Sequence, residues 1–185
     1  MVLLTSQYAL KSGSVAPDFE LPGIDGKTCS LPKLAGHKAL LIVFMCNHCP
    51  YVKPKMGYLA KLQDTYGPRG LQVVGINPND PSAYPEDSVE SMTQVAAMHH
   101  FHFPYLIDET QDVARAYGAV CTPDFFGYNA DLKLQYRGRL DPTTPGRPAP
   151  KGARRELLEA MTVVARTGQG PKDQTPSQGC SIKWR

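Results

Sequence analysis

Two cysteines separated by two residues, Cys46 and Cys49, directly follow the apolar run at residues 40–45. A short apolar run bounded by polar residues is typical of a buried strand, and Pro50 is well tolerated in the first turn of a helix. The pair is therefore expected at a strand-to-helix turn, where backbone N–H groups and the helix dipole favour negative charge. Such a position lowers the pKa of a cysteine from about 8.5 to between about 3.5 and about 7.5. The spacing and the setting predict thiol–disulfide chemistry.

Within the pair, Cys46 is expected to be the more exposed sulfur and the nucleophile, and Cys49 the resolving cysteine one helical turn further on. Residues 46–63 include three lysines and no acidic residue, a local positive charge that would stabilise a thiolate. His48, between the cysteines, is expected to tune the redox potential, because a partly cationic imidazole favours the thiolate and so the reduced form. The alternative for His48 is a solvated side chain without a role.

Composition limits the class of protein. A chain of 185 residues, 42% hydrophobic and 20% charged, fits one globular domain with a real core. We expect a single domain over 1–185, with residues 167–185 as a C-terminal tail. The net charge of +3 is spread along the chain and does not indicate nucleic acid binding. No apolar run reaches membrane-span length, and the first residues lack the pattern of a secretory signal, so a cytoplasmic protein without membrane contact is expected.

The number and spacing of the cysteines are unlike those of a disulfide-stapled secreted domain. In a reducing compartment, a close pair is more typical of a catalytic or metal-binding site. Cys121 and Cys180 are candidates for additional redox cysteines. Alternatively, Cys121 fills space as a small hydrophobe and the tail around Cys180 is only an anchor. Cys29 is expected to be structural.

The elements that must position the pair follow from apolar periodicity and turn residues. A hairpin is predicted over 17–31, and the strand at 38–45 leads into a helix over 50–66, in which Pro54 is expected to cause a kink. Further strands are predicted at 71–76, 103–107, 124–128 and 132–137, and further helices at 88–100, 110–117 and 153–166. Strands alternating with helices, then a hairpin and a final helix, predict an α/β layered sheet.

Several motifs carry a family resemblance. They are Ala-Pro-Asp-Phe at 16–19, Cys-Asn-His-Cys-Pro-Tyr at 46–51, Tyr-Pro-Glu-Asp-Ser at 84–88, Cys-Thr-Pro-Asp-Phe-Phe at 121–126 and Gly-Cys-Ser-Ile-Lys-Trp at 179–184. Together they resemble a peroxiredoxin-like family of the thioredoxin fold, related to alkyl hydroperoxide reductase and thiol-specific antioxidant proteins, over about residues 15–185. The resemblance implies a thioredoxin-like fold, with a central mixed sheet flanked by helices and an N-terminal hairpin. It also implies a role in antioxidant activity and cell redox homeostasis.

The same resemblance implies that the bond between Thr122 and Pro123 is cis and faces the cysteine pair. In this fold the backbone before that proline binds an extended substrate by strand addition, so Thr122 and Pro123 are expected to bind substrate. The alternative is an ordinary trans proline at the start of a strand.

The chain departs from the sequence motifs of both peroxiredoxins and thioredoxin. A peroxiredoxin needs a threonine three residues before its peroxidatic cysteine. If that cysteine is aligned with Cys49, the threonine position holds Cys46 and the proline expected earlier falls on Ile42. The buried acid of thioredoxin falls on Leu40, and its tryptophan on Met45. These departures weaken assignment to either parent activity.

The leading hypothesis is a thiol–disulfide oxidoreductase that uses the Cys46 and Cys49 dithiol on protein or small-molecule disulfides and dithiols. One alternative is an atypical thiol peroxidase, in which Cys49 attacks peroxide. A second is a non-catalytic binding module, or one that holds zinc with Cys46, Cys49, Cys121 and His48. A single close cysteine pair is a weak metal signature, so the sequence predicts neither a metal nor a cofactor.

Overall fold

A computed structural model describes residues 2–7 and 9–185. The strands are β1 (Leu3–Thr5), β2 (Glu20–Pro22), β3 (Thr28–Ser30), β4 (Ala39–Phe44), β5 (Leu71–Asn77), β6 (Tyr105–Ile107), β7 (Cys121–Thr122), β8 (Asp124–Asn129), β9 (Leu134–Tyr136) and β10 (Gln178–Ser181). The α-helices are α1 (Lys53–Tyr66), α2 (Val89–Met98), α3 (Asp112–Tyr117) and α4 (Glu156–Thr167). In this part of the chain, none of the helices is both long and apolar enough to cross a membrane.

The central sheet has the strand order β6-β5-β4-β8-β9. Strand β4 pairs in parallel with β5 and antiparallel with β8, and β5 pairs in parallel with β6. All six residues of β4 are buried, as expected for the middle strand of a sheet covered on both faces. The predicted mixed sheet flanked by helices is confirmed, and the N-terminal hairpin forms from β2 and β3.

Alternate residues of β4 face two separate cores. Leu41 and Val43 pack with the buried faces of α1, α2 and α4. Leu40 and Ile42 pack on the opposite side, under the hairpin and α3. Because side chains alternate across a strand, this one apolar run holds both layers to the sheet. Burial on both faces fixes the end of β4, where the cysteine pair begins.

Helix α1 starts later than predicted, at Lys53. Pro54 is therefore its second residue, in the first turn, where backbone N–H groups have no partner within the helix. The proline therefore lies at the beginning of the regular helix, and the kink expected at Pro54 stays a prediction.

A second sheet, not predicted from the sequence, joins the two ends of the described chain. Strand β10 lies between β1 and β7 and is antiparallel to both. The tail over residues 167–185 therefore contains a central strand, in which Cys180 is paired with Leu3 on one side and with Thr122 on the other.

Candidate functional site

Cys46 and Cys49 lie between the end of β4 and the start of α1. The carbonyl of Cys49 accepts hydrogen bonds from the N–H groups of Val52, at 3.0 Å, and Lys53, at 3.1 Å, which form a turn that leads into α1. Both cysteines are 0% exposed, so the expectation that Cys46 is the more exposed sulfur is wrong. All five cysteines of the chain are present as thiols.

The two sulfurs hold their protons unequally. The hydrogen bond between Cys46 and Cys49 lowers the pKa of Cys49 to about 5. Hydrogen bonds with Cys180 and the Tyr51 backbone add to this shift, and burial opposes it. The same hydrogen bond, together with burial, raises the pKa of Cys46 well above its usual range. A hydrogen-bonded pair of this kind loses its first proton as a unit, and the geometry favours negative charge on Cys49.

The sequence predicts positive charge around Cys46, but the charged group that acts on Cys46 in the structure is negative. Asp87, which is remote in sequence, lies close enough to raise the pKa of Cys46 further. Lys55, one of the three lysines expected to help, is buried and ion-paired with Asp141 at 3.1 Å. The groups that stabilise a thiolate are the Cys46 and Cys180 thiols and the Tyr51 backbone, and they act on Cys49.

Asp87 organises the turn between the two cysteines. Its carboxylate accepts the backbone N–H of Asn47 at 2.7 Å, the side-chain amide of Asn79 at 2.8 Å and a hydrogen bond with Nδ1 of His48 at 2.6 Å. Burial raises the pKa of Asp87, but these hydrogen bonds outweigh it and the net shift is downward. Asp87 was missed from the sequence, although it lies in the Tyr-Pro-Glu-Asp-Ser motif that carried the resemblance.

The side chain of His48 is only 7% exposed, so it is not the solvated histidine of the alternative hypothesis. Its ring stacks on Tyr84, with centroids 4.4 Å apart, in addition to its bond with Asp87. The carboxylate of Asp87 faces this ring and offsets any positive charge on it. Tuning of the cysteine pair by His48 therefore stays a prediction.

Asn47 is also held on both sides. Its side-chain oxygen accepts the Tyr105 hydroxyl at 3.0 Å, and its amide donates to the carbonyl of Glu86 at 2.8 Å.

Thr122 and Pro123 meet the cysteine pair, and the predicted cis bond between them is confirmed. The hydroxyl of Thr122 lies 3.3 Å from the Cys46 sulfur. Its carbonyl oxygen lies 3.1 Å from the Cys49 sulfur. One residue thus contacts both sulfurs. Whether Thr122 and Pro123 bind substrate stays a prediction.

Cys180 lies in the site and Cys121 points away from it. The sulfur of Cys180 is 2.7 Å from that of Cys49. The thiol of Cys121 points instead to the carbonyl of Pro123, at 3.8 Å, and burial raises its pKa well above the usual range. These contacts favour the packing role considered for Cys121. Cys29 lies in hairpin strand β3, as expected of a structural residue.

The tail also closes the site from outside. Beyond β10, the N–H of Lys183 donates to Asn79 at 2.9 Å, and its ammonium group lies 5.5 Å from the centre of the Tyr84 ring, which stacks on His48. Strand β10 and the loop around residues 79–87 therefore cover the cysteines from two directions.

One group of side chains in the described residues could hold a metal ion. Donor atoms of Cys46, His48 and Asp87 lie within 4.8 Å of one another. This trio is not the zinc set of the third hypothesis, which required Cys49 and Cys121. The histidine and the aspartate already hydrogen-bond to each other.

Comparison with known proteins gives a family match and curated relatives. The profile of the AhpC/TSA family matches residues 12–138. The thiol-disulfide oxidoreductase ResA of Geobacillus thermodenitrificans is 28% identical over 131 residues, which are 71% of this chain and 71% of that protein. Peroxiredoxin Bcp of Escherichia coli is 26% identical over 122 residues, which are 66% of this chain and 73% of that protein.

Solved structures extend the similarity to the whole chain. An uncharacterized conserved protein from Geobacillus kaustophilus is 42% identical with a TM-score of 0.91, over 100% of this chain and 97% of that one. A hypothetical protein from Sinorhizobium meliloti is 38% identical with a TM-score of 0.90, over 98% of each chain. The thioredoxin domain of a thiol-disulfide oxidoreductase from Bacteroides vulgatus, 20% identical with a TM-score of 0.60 over 70% of this chain and 89% of that one, shares the fold.

Proposed function

The chain belongs to the AhpC/TSA family, and on that premise we propose that it is a thiol–disulfide oxidoreductase whose working dithiol is Cys46 and Cys49. The observation that carries the proposal is the hydrogen-bonded sulfur pair at the start of α1, with Thr122 of the cis bond in contact with both sulfurs. The chain has the thioredoxin-like fold, and in the described residues the pair lies at the carboxyl end of its central strand.

The geometry favours Cys49 as the attacking cysteine and Cys46 as the resolving one, the reverse of the roles expected from the sequence. Cys49 carries the thiolate and attacks a substrate disulfide, forming a mixed disulfide and releasing the first substrate sulfur as a thiolate. The Cys46 thiol then gives up its proton and attacks Cys49, releasing the second substrate sulfur. Two electrons pass from the cysteine pair to the substrate, which becomes two thiols by taking the Cys46 proton and one proton from solvent, and the protein is left with a Cys46–Cys49 disulfide. In reverse, the disulfide oxidises a dithiol.

Disulfide reduction with dithiothreitol as electron donor tests this proposal, using insulin and a small aromatic disulfide as substrates. Wild type should turn over, Cys49→Ser and the double variant Cys46→Ser/Cys180→Ser should not, and Cys29→Ser should behave as wild type. Absence of turnover in wild type with dithiol donors would refute the proposal.

Trapping of the mixed disulfide assigns the roles of the two cysteines. Because Cys180 could release a trapped substrate from Cys49, it is replaced in both test variants. Cys46→Ser/Cys180→Ser should retain the substrate on Cys49, whereas Cys49→Ser/Cys180→Ser should retain none. Retention only in the second variant would restore Cys46 as the attacking cysteine and contradict the assignment of the attack to Cys49.

A second candidate function is reduction of peroxide by Cys49. It is favoured by the low pKa of Cys49, because the thiolate is the form that attacks peroxide. Cys46 and Ile42 occupy the positions of the peroxiredoxin threonine and proline, which argues against fast peroxidase chemistry. Rapid formation of sulfenic acid on Cys49 would support this function, and oxidation no faster than that of a free thiol would exclude it.

For partners, we propose protein and small-molecule disulfides and dithiols, in cell redox homeostasis within a reducing compartment such as the cytoplasm. The odd number of cysteines, all present as thiols, supports this location. Trapping of protein thiols directly in cells, followed by mass spectrometry, would contradict it if a stable disulfide predominated.

A further inference from the structure

Strand β10 occupies the position at which an extended substrate would add to β7. The two strands are antiparallel, and Cys180 pairs directly with Thr122, the residue before the cis proline. An incoming peptide would need the same edge of β7 for its main-chain hydrogen bonds. The tail of the protein itself therefore fills the proposed substrate edge.

The register explains why Cys180, and not Cys121, meets the cysteine pair. Residues directly opposite each other in an antiparallel pair project their side chains to the same face. The Thr122 hydroxyl faces the cysteine pair, so Cys180 faces it too, whereas Cys121 and Ser181, one residue along, are directed to the other face. Strand pairing thus presents one cysteine of the tail to Cys49.

We propose that Cys180 is a third redox-active cysteine that stands in the place of a substrate sulfur and exchanges with the Cys46–Cys49 disulfide. This inference rests on the proposed function, which supplies that disulfide. The sulfur of Cys180 attacks the sulfur of Cys49, the bond between Cys46 and Cys49 breaks, and a Cys49–Cys180 bond forms. The proton of Cys180 passes to the Cys46 thiolate. The number of disulfides is unchanged, so the step needs neither an oxidant nor a reductant.

The distance suits this exchange. A disulfide bond is about 2.05 Å long, and the two sulfurs are 2.7 Å apart in the reduced protein. Bond formation therefore needs a movement of less than about 1 Å within a strand that is already paired on both sides. No hinge motion of the tail is required.

The charges around Cys180 change in the direction that the exchange needs. In the reduced protein, burial and the interaction with Cys49 raise the pKa of Cys180 to about 12, while Lys183 lowers it. Once Cys49 is in a disulfide, it no longer carries a thiolate and no longer raises the pKa of Cys180. Lys183 still lowers that pKa. Oxidation of the pair therefore makes Cys180 a better nucleophile.

Disulfide mapping tests the inference. Reduced protein is oxidised with a limiting amount of diamide, a thiol oxidant, alkylated, digested and analysed by mass spectrometry. Wild type should yield a peptide with an internal Cys46–Cys49 disulfide and other peptides joined through Cys49–Cys180. In Cys46→Ser, the intramolecular Cys49–Cys180 disulfide should form in more than half of the molecules. The matched control Cys121→Ser should give the wild-type pattern.

The outcomes separate this inference from the proposed function. If wild type turns over and forms Cys46–Cys49 but Cys49–Cys180 is absent from wild type and from Cys46→Ser, the inference is refuted and the function stands. If neither disulfide forms and turnover is absent, both fail. The wild-type measurement remains decisive if the Cys46→Ser variant does not fold.

Discussion

Negative charge in the reduced site is divided unequally between two neighbouring sulfurs. Hydrogen bonds with the Cys46 and Cys180 thiols and with the Tyr51 backbone lower the pKa of Cys49, whereas Cys46 lies near the Asp87 carboxylate. The pair of cysteines could be predicted from spacing alone. The charge distribution could not, because Asp87 is separated from Cys46 by about forty residues and approaches only when the fold is complete.

A titration at the residue scale checks this division. The thiolate absorbance of reduced wild type should rise with pH around a midpoint near 5 and disappear in Cys49→Ser. In Cys180→Ala the midpoint should move up by about 1 pH unit. A hydrogen bond to a charged group contributes about 1.5–3 kcal/mol, and one pH unit corresponds to about 1.4 kcal/mol. Cys121→Ala should leave the midpoint unchanged, and an unchanged midpoint in Cys180→Ala would contradict the assigned contact.

Among the elements, the central sheet and the main helices could be predicted, and the small sheet could not. Strand β4 is indicated by a six-residue apolar run, and α2 by Ser88, whose side chain caps the helix by accepting a hydrogen bond from the N–H of Ser91. Strands β7 and β10 have two and four residues, with small and polar types among them. Their structure comes from pairing between distant parts of the chain, which local propensity does not describe.

Gly179 permits the approach of β10 to β7 and offers a test at the element scale. A Cβ atom at this position would overlap the carbonyl of Thr122, so Gly179→Ala should push β10 away from β7. Alkylation of Cys49 in the reduced protein should accelerate about tenfold or more, which corresponds to about 1.4 kcal/mol of lost pairing. Gly57→Ala in α1 is the matched control, because the nearest atom to its new Cβ, on the His99 ring, is 4.0 Å away. Equal alkylation rates in both variants would show that β10 does not cover the site.

At the scale of the whole molecule, a buried ion pair ties distant segments to the sheet. Asp124 at the start of β8 lies 3.2 Å from Arg137 and accepts the hydroxyl of Ser6 at 2.7 Å. Arg137 also donates to the carbonyl of Gly118 at 2.9 Å. Burial raises the pKa of Asp124 to about 6, even though Arg137 lowers it. Breaking such a pair leaves a charge buried without a partner.

Arg137→Leu should therefore destabilise the protein by about 3–5 kcal/mol at pH 8, measured by urea unfolding. The folded pKa of Asp124 is above its unfolded value, so the folded state binds more protons between about pH 4 and 6 and stability falls as pH rises through that range. Without Arg137 this effect should grow, and the variant should recover stability at pH 5.

The double variant Arg137→Leu/Asp124→Asn should recover much of the loss at pH 8, since the uncompensated charge is gone. Arg154→Leu, which breaks an exposed pair with Glu159, should have no measurable effect. Equal losses at pH 5 and pH 8 in Arg137→Leu would contradict the assignment of the buried charge.

The placement of β10 between β1 and β7 has a consequence for kinetics. When a group is buried behind a local structure, a reagent reaches it only during transient opening, so the observed rate is the intrinsic rate multiplied by the open fraction. The site is covered by β10, which forms three residue pairs with β1 and two with β7 in the described part of the chain. The speed at which any oxidant or substrate reacts with Cys49 is thus set by how often this small sheet opens, and a ligand that bound either neighbouring strand would change that speed without touching a sulfur.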